Sequence, residues 1–394
     1  MGTLSRRQIG EFLAYTLFIV GILMLPWFVD AFWLNRWAKY LVFGMLGIAI
    51  AMSWGYAGIL NLGQGLFFGA GAYMLAMSLK LNSWTSLQQG SDTPVPDFML
   101  WNAEPGALTD LCCINAGSFL WIPFQATWFG AIMGLVLPMS IAALLALALF
   151  RLRVSGVYVA IVTLALMLLV RLLIIEAQPV TNGFNGLTDL EYLTIFGHEF
   201  DPYLVSTYYL VALSLIAVLL LSRVLVETRA GLILQSTRDD ANRARYLGYD
   251  VAAYQVFFFT VSAAIAGYAG MLYVVVSEFA SPSFMEIAFS IGMVVWAAVG
   301  GRRSLIGACI GAIAISLIEA TASESDLFRE SWRAILGLLF ILVVVFMPRG
   351  LAGLASDLFK YLPIGRADDD PNRAKPSPLR PAVAPGAQRK GDMP

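Results

Sequence analysis

In the stretch NLGQGLFFGAGAY, Asn61 to Tyr73, two carboxamides stand among four glycines: Asn61 and Gln64 beside Gly63, Gly65, Gly69 and Gly71. A primary amide donates and accepts hydrogen bonds and carries no charge. Two of them, three residues apart, suit contact with a neutral polar solute. They equally suit hydrogen bonding between helices, the ordinary use of polar side chains inside a bilayer. Glycine-rich runs also cradle phosphate, but this one lacks the lysine and the preceding strand that such a loop needs. Gly65 and Gly69 have the small-xxx-small spacing that favours close helix approach. Phe67 and Phe68 read first as packing residues, with a gate as the alternative. Asn61, Gly63, Gln64, Gly65 and Phe68 are the candidate substrate pathway.

Two further constellations have binding chemistry. GLILQSTRDDANRARYLGYD, Gly231 to Asp250, has the marks of a short capped helix. Thr237 is its predicted N-cap, with Asp240 three residues on at capping-box spacing. Asp239 and Asp240 lie at the positive end of the helix dipole, Arg243 and Arg245 toward its negative end. Gly248, after Leu247, suits the left-handed position that closes a helix. Ala241, Ala244 and Leu247 recur at helical spacing and form a small apolar face. A helix of about ten residues is marginal alone. It either rests on its own bundle or docks in a groove of a soluble partner. The third constellation, TNGFNG, holds Asn182, Gly183, Asn185 and Gly186. Its composition predicts an external turn and a candidate docking point for another protein.

Catalysis is not expected. His198 is the only histidine, and Cys112, Cys113 and Cys309 have neither zinc spacing nor a disulfide pattern. No catalytic residue, metal site or resident cofactor is predicted. A net charge of −1 leaves no basic footprint for nucleic acid. The chain holds no Gly-x-x-x-x-Gly-Lys-Ser/Thr, so ATP hydrolysis is not expected of it.

These residues need a membrane to hold them. The chain is 59% hydrophobic and only 13% charged, with a mean hydropathy of +0.75, where soluble domains average about 25% charged. Runs of roughly 20 apolar residues mark spanning helices. Ten emerge, at about 11–32, 37–60, 65–81, 124–150, 156–176, 203–222, 252–277, 284–300, 304–321 and 331–347. The first lacks a small-residue cleavage site and is expected to stay as a span. The fold class is thus an all-α polytopic bundle.

Arginines gather in alternate connections: Arg151 and Arg153, then Arg223 to Arg245, then Arg302 and Arg303. The loops 82–123 and 177–202 have no Lys or Arg. The positive-inside rule therefore predicts both termini and the 223–251 loop in the cytoplasm. Arg36 with Lys39, and Arg329 with Arg333, fall on the other side but hug helix ends, where long cations snorkel, and Arg171 near an outer end reads the same way ahead of a substrate role. Three segments follow from this: a cytoplasmic N-terminus (1–10), a membrane domain (11–362) and a Pro- and charge-rich tail (363–394) expected to be disordered.

At this point a resemblance becomes specific. LILQSTRDDANRARYLGYDVAAYQVFFFTVSAAIAGYAGMLY is similar to the cytoplasmic loop and following helix of permeases in the branched-chain amino-acid ABC importer family. Arg238, Asp239, Ala244, Leu247, Gly248, Tyr254, Ala266, Gly267, Ala269 and Gly270 carry the match. SWGYAGILNLGQGLFFGAGAY, GVYVAIVTLAL, VVWAAVGGRRSLIGACIGA and LFILVVVFMPRGLAGL resemble further blocks of the family, covering roughly 35–355. The resemblance implies that Thr237, Arg238, Asp239, Asp240, Arg243, Ala244, Leu247 and Gly248 form a coupling helix seated on an ATPase. It implies a homologous second permease, two cytoplasmic ATPase subunits that use ATP and magnesium, a periplasmic solute-binding protein, and a bacterial cytoplasmic membrane.

Departures from the family pattern are Gln64 where His is usual, Arg302 and Arg303 in place of a Gly-rich turn, Asn182 for a second Gly, and Gln255 for a basic residue. FNGLTD (Phe184–Asp189) and PDFMLW (Pro96–Trp101) resemble the urea-transport branch more than the amino-acid branch. Urea or a short-chain amide is therefore the expected substrate, with a branched-chain amino acid the alternative. A passive channel or membrane scaffold is the alternative of a different class.

Overall fold

A computed structural model of the chain describes residues 6–83, 121–154 and 156–324, with scattered positions between 334 and 353. Most of the predicted span 331–347 falls outside them. So do PDFMLW, Cys112, Cys113, most of the 82–123 loop and the 363–394 tail.

The described residues form helices α1 (Arg6–Met24), α2 (Ala31–Ile50), α3 (Gln64–Ser83), α4 (Thr127–Arg151), α5 (Val157–Glu176) and α6 (Val205–Glu227). Then come α7 (Arg229–Asp239), α8 (Ala241–Tyr246), α9 (Val251–Ser277), α10 (Ile287–Gly300) and α11 (Leu305–Glu324). Every predicted span up to 304–321 thus has its helix. The 25 residues of α4 extend about 37 Å at 1.5 Å each, more than a hydrocarbon core of about 30 Å. Among the described residues, six helical stretches are long and apolar enough to cross a membrane. On α5, Leu169, Leu172 and Leu173 are exposed, where a helix facing water would carry polar residues. That face belongs against lipid or another apolar surface.

Helix α9 lies at the centre and packs on α3, α4 and α2. Without a hydrophobic drive between helices in lipid, close packing needs small residues, and the sequence supplies them. Gly71 on α3 abuts the Gly267 carbonyl on α9, and Gly270 abuts the Phe68 carbonyl. Gly267 also abuts Pro138 and the Gly134 carbonyl on α4. A methyl group at these positions would strike backbone or a rigid ring.

One end of the bundle gathers the basic connections. Arg151, Arg153, Arg245, Tyr249 and Asp250 line a cleft of about 290 Å³. Trp54, Gly55, Gly58, Arg238, Asp239, Arg302 and Arg303 line a second, of about 330 Å³. This is the end that charge bias assigns to the cytoplasm. At the opposite end Asn35 Nδ2 donates to the carbonyls of Pro202 (3.1 Å) and Val276 (2.9 Å). There Leu187 and Ala280 exchange backbone hydrogen bonds.

The described residues depart from all-α in one place. Strands β1 (Leu193–Ile195) and β2 (His198–Phe200) pair antiparallel at this opposite end, with Leu193 facing Phe200. Phe196 (φ 51) and Gly197 (φ 77) make the two-residue turn, the left-handed pair a tight hairpin requires. His198, expected in a loop, is an exposed strand residue.

Candidate functional site

The amide pair sits at a break between two helices. After Ile50 the backbone continues as a π-helical segment, Ala51–Tyr56. Its wider i→i+5 turns are a local irregularity often found at functional sites. Gly58, at φ 73, takes a left-handed conformation just after this segment. Residues 59–63 are not helical, and Gln64 opens α3. Unwound backbone is tolerated inside a membrane only where protein or a cavity satisfies it.

Here side chains do so. Asn61 Oδ1 accepts from the Gly63 amide at 2.9 Å. Thr163 Oγ1 on α5 accepts from the Leu62 amide at 3.2 Å. Ser290 Oγ on α10 accepts from the Gly65 amide at 3.1 Å.

The two carboxamides join this network. Asn61 Nδ2 donates to Gln64 Oε1 at 2.5 Å. Gln64 Nε2 donates to the Ser262 carbonyl on α9 at 3.1 Å, and Ser262 Oγ donates to the Ala49 carbonyl on α2 at 2.7 Å. The break is therefore held from α2, α3, α5, α9 and α10 together. Asn61 and Gln64 are fully buried, and neither lines the clefts at the basic end. A solute reaches them only when this seam opens.

The glycines serve approach. Gly63 abuts the Thr163 carbonyl, and Gly65 the Phe284 carbonyl and Ser290. Gly69 abuts Met285, so the small-xxx-small pair packs on the short Pro282–Met285 turn, with Gly65 also against Ser290 of α10 and Met167 of α5. Phe68 is buried in an aromatic cluster, its ring 5.4 Å from Phe284, 5.5 Å from Phe289 and 5.6 Å from Tyr273. It packs the core in this conformation.

On α5, Thr163, Met167 and Arg171 recur every four residues and face the seam. Met167 Sδ lies 3.0 Å from Ser290 Oγ, and Arg171 Nη2 donates to Glu286 Oε1 at 2.9 Å. Arg171 is therefore half of an ion pair between two elements rather than a free snorkelling cation. Thr163, Ser262, Ser290 and Glu286 are the site residues that sequence reasoning missed. Their only signal is a single hydroxyl within IVTLAL, VSAAIAG and FSIGM, or an acid 115 residues from its partner.

The 223–251 loop corrects one expectation. Thr237 is not an N-cap. It lies inside α7, buried, and its hydroxyl donates to the Leu234 carbonyl at 2.6 Å. The helix starts nine residues earlier, where Thr228 Oγ1 accepts from the Gly231 amide. Asp240, at φ −156, breaks it and is itself the N-cap of α8, its Oδ1 accepting from the Asn242 and Arg243 amides at 3.0 Å each. Two short helices thus stand where one was expected, because a residue with an extended backbone cannot continue a helix.

Gly248 does take the left-handed closing position, at φ 88. Ala244 is buried while Asp239, Arg243, Tyr246 and Leu247 are exposed, so Thr237 and Ala244 hold the loop to its own bundle and the others face outward. Arg238 turns inward. Its Nη1 donates to the Gly55 carbonyl at 2.7 Å, while Nη2 and Nε pair with Asp239.

At the end opposite the basic clefts Asn182 (φ 59), Gly183 (φ 56) and Gly186 (φ 74) form the expected turn, with Asn182 Nδ2 donating to the Gly186 carbonyl at 2.6 Å. Phe184 and Asn185 project from it, exposed. Nearby, Glu278 closes α9. Burial, and then Asp201, hold its carboxyl above the usual range, against the pull of Lys39.

Comparison with known proteins adds a family. Residues 34–344 match the model described as "Branched-chain amino acid transport system / permease component". The chain is 29% identical to the high-affinity branched-chain amino acid transport system permease protein LivM of Escherichia coli (strain K12), over 87% of this chain and 76% of that protein. It is 28% identical to the LivM of Salmonella typhimurium, over the same shares. No solved structure matches.

Proposed function

Because the chain belongs to the branched-chain amino acid transport permease family, we propose that it is the membrane-spanning subunit through which an ATP-driven importer passes a branched-chain amino acid into a bacterial cell. The observation that carries this reading is the family match over residues 34–344, helix break included. The solute would cross at the seam around Asn61–Gln64, close to the midpoint of α9, where the backbone is already unwound. In membrane transporters, substrate sites built on discontinuous helices at the repeat or bundle interface are a recurrent solution.

The partners follow from the class: a second permease, two ATPase subunits in the inner-membrane complex and a periplasmic solute-binding protein. Closure of the ATPases on ATP would push on the exposed faces of α7 and α8. That motion shifts the bundle only if ATP favours one conformation over the other. In the alternating cycle the seam opens outward to receive solute and inward to release it. The conformation described has the seam shut.

A second reading is urea or a short amide. One feature favours it: the side chains that bond the break itself, Asn61, Gln64, Thr163, Ser262 and Ser290, are all neutral hydrogen-bonding groups, and the Arg171–Glu286 charges on the seam are paired with each other. A zwitterion would gain more from charges or helix ends aimed at its two poles. Uptake of labelled leucine and labelled urea, in cells with and without this chain, separates the readings. ATP-dependent leucine uptake that requires the chain supports the first, and urea uptake alone supports the second. Uptake of either solute without ATP would overturn both in favour of a passive channel.

A further inference from the structure

We infer that Arg238 is a positioning residue that acts inward, holding the π-helical segment Ala51–Tyr56 so that the Asn61–Gln64 break stays closed. The inference rests on the transport reading but concerns the chain's own conformation.

The segment is gripped at its cytoplasmic end from two directions. From α7, the Arg238 guanidinium donates to the Gly55 carbonyl at 2.7 Å. Its aliphatic stem lies against Gly58, where any Cβ would collide with it. From the turn between α10 and α11, the Arg302 guanidinium stacks over the Trp54 ring at 4.8 Å. The Tyr56 hydroxyl donates to the Arg303 carbonyl at 3.0 Å. Gly55 has no room for a side chain because the Arg302 carbonyl abuts it. Two glycines are therefore placed where two arginine-bearing elements wrap one irregular turn.

A π turn holds about one residue more than an α turn and costs energy unless something offsets it. The Ala57 amide bonds the Met52 carbonyl and the Ile59 amide bonds the Ser53 carbonyl, so the following chain hangs directly from this turn. Only Leu60 separates Ile59 from Asn61. When α7 moves, the Gly55 carbonyl loses its charged donor and the turn can relax toward α geometry. Relaxation shifts the chain ahead of Asn61 by about one residue's rise, roughly 1.5 Å. The hydrogen bonds of the break, at 2.5 to 3.2 Å, do not survive such a shift. Arg238 thus relays motion at the cytoplasmic surface to the buried amides, instead of contacting an ATPase itself.

The test is hydrogen exchange on the purified full-length chain, read at the amides of Leu62, Gly63 and Gly65. Each of these bonds to a side chain of the break. Arg238→Ala should speed their exchange roughly 10- to 100-fold, the effect of losing a charge-assisted hydrogen bond that opposes local opening. Arg238→Lys should retain most of the protection. Gly58→Asn leaves Arg238 in place but displaces its stem, in a residue type that tolerates positive φ, and should also speed exchange. Amides in α6 serve as the control for general destabilisation.

In the assembled transporter, Arg238→Ala should still co-purify with the ATPases and hydrolyse ATP, with uptake per ATP falling about as far as protection does. Unchanged exchange at residues 62–65 in Arg238→Ala would overturn the relay. So would loss of ATPase association without any change in exchange, which would make Arg238 a docking residue. Failure of the unaltered chain to support uptake would count against the transport reading and leave the exchange result to decide this one.

Discussion

Replacing the two amides singly and together measures what the break is worth. Gln64→Leu keeps the side chain's approximate volume and removes three polar contacts. The Ser262 carbonyl belongs to helix α9, and Ser262 Oγ keeps its own acceptor on Ala49, so neither loses everything. The main orphan is Asn61 Nδ2, which now donates to Gln64 Oε1 at 2.5 Å. A buried donor without a partner costs roughly 1–3 kcal/mol. Asn61→Leu orphans Gln64 Oε1 and the Gly63 amide, which bonds Asn61 Oδ1 at 2.9 Å, and so should cost more than Gln64→Leu. In the double variant both members of the amide pair are gone, and of these groups only the Gly63 amide is left unpaired. The double variant should therefore be less destabilised than the sum of the singles, by about 0.6–2 kcal/mol, the range seen for polar pairs between membrane helices. Equilibrium unfolding of the purified chain in mixed micelles reads this directly. Additivity within about 0.3 kcal/mol would refute the idea that the two amides form one unit. Transport gives a second reading. If the amides meet the solute, the double variant loses uptake beyond its loss of folded protein; if they only close the break, uptake follows the folded fraction.

Three other outcomes follow from the same geometry. Gly71→Val should sharply lower the yield of folded protein in detergent, because its side chain would occupy the space of the Gly267 carbonyl; Gly10→Val, at a position with nothing nearby, should not. Asp240→Ala should cost the loop about 1 kcal/mol by removing the cap of α8, seen as faster exchange at the Asn242 and Arg243 amides, whereas Thr237→Val should leave those two amides unchanged. The Tyr192 phenol should titrate above its ordinary value, because Glu278 first, then Asp201, burial, Glu191 and Glu199 oppose a new negative charge; ultraviolet titration should show the midpoint move down in Glu278→Gln, and an unmoved midpoint would contradict the charge argument.

The spans were legible because a run of apolar residues as long as α4 or α9 has few other uses. The end of α2 was harder. Glycine and amide content marks a boundary near residues 60–65, but nothing in the composition shows the α-helix already giving way to a π-helical turn after Ile50. The cap of the cytoplasmic helix was misread because Thr237 and Asp240 have capping-box spacing while Thr228, nine residues earlier, has an equally good hydroxyl. Local sequence could not rank the two; the buried face of α7, with Leu234 and Thr237, decides it. The β1–β2 hairpin escaped because Phe-Gly is a poor announcement of a left-handed turn, a conformation that Phe adopts only at some cost. Thr163, Ser262 and Ser290 were invisible as a set. Each is one hydroxyl in a greasy helix, and what joins them is spatial.

That joint arrangement constrains how the protein can change over time. Five helices contribute to one hydrogen-bonded break, so a substitution in any of them is judged by the other four. A variant at Ser262, whose carbonyl and hydroxyl both face Gln64 Nε2, that is harmless beside Gln64 can be ruinous beside a histidine, whose two ring nitrogens donate and accept in a different geometry. The residue at position 64 and its hydroxyl neighbours should therefore be inherited as a set, and transplanting Gln64 alone into a relative should fail where moving it with Ser262 and Ser290 succeeds.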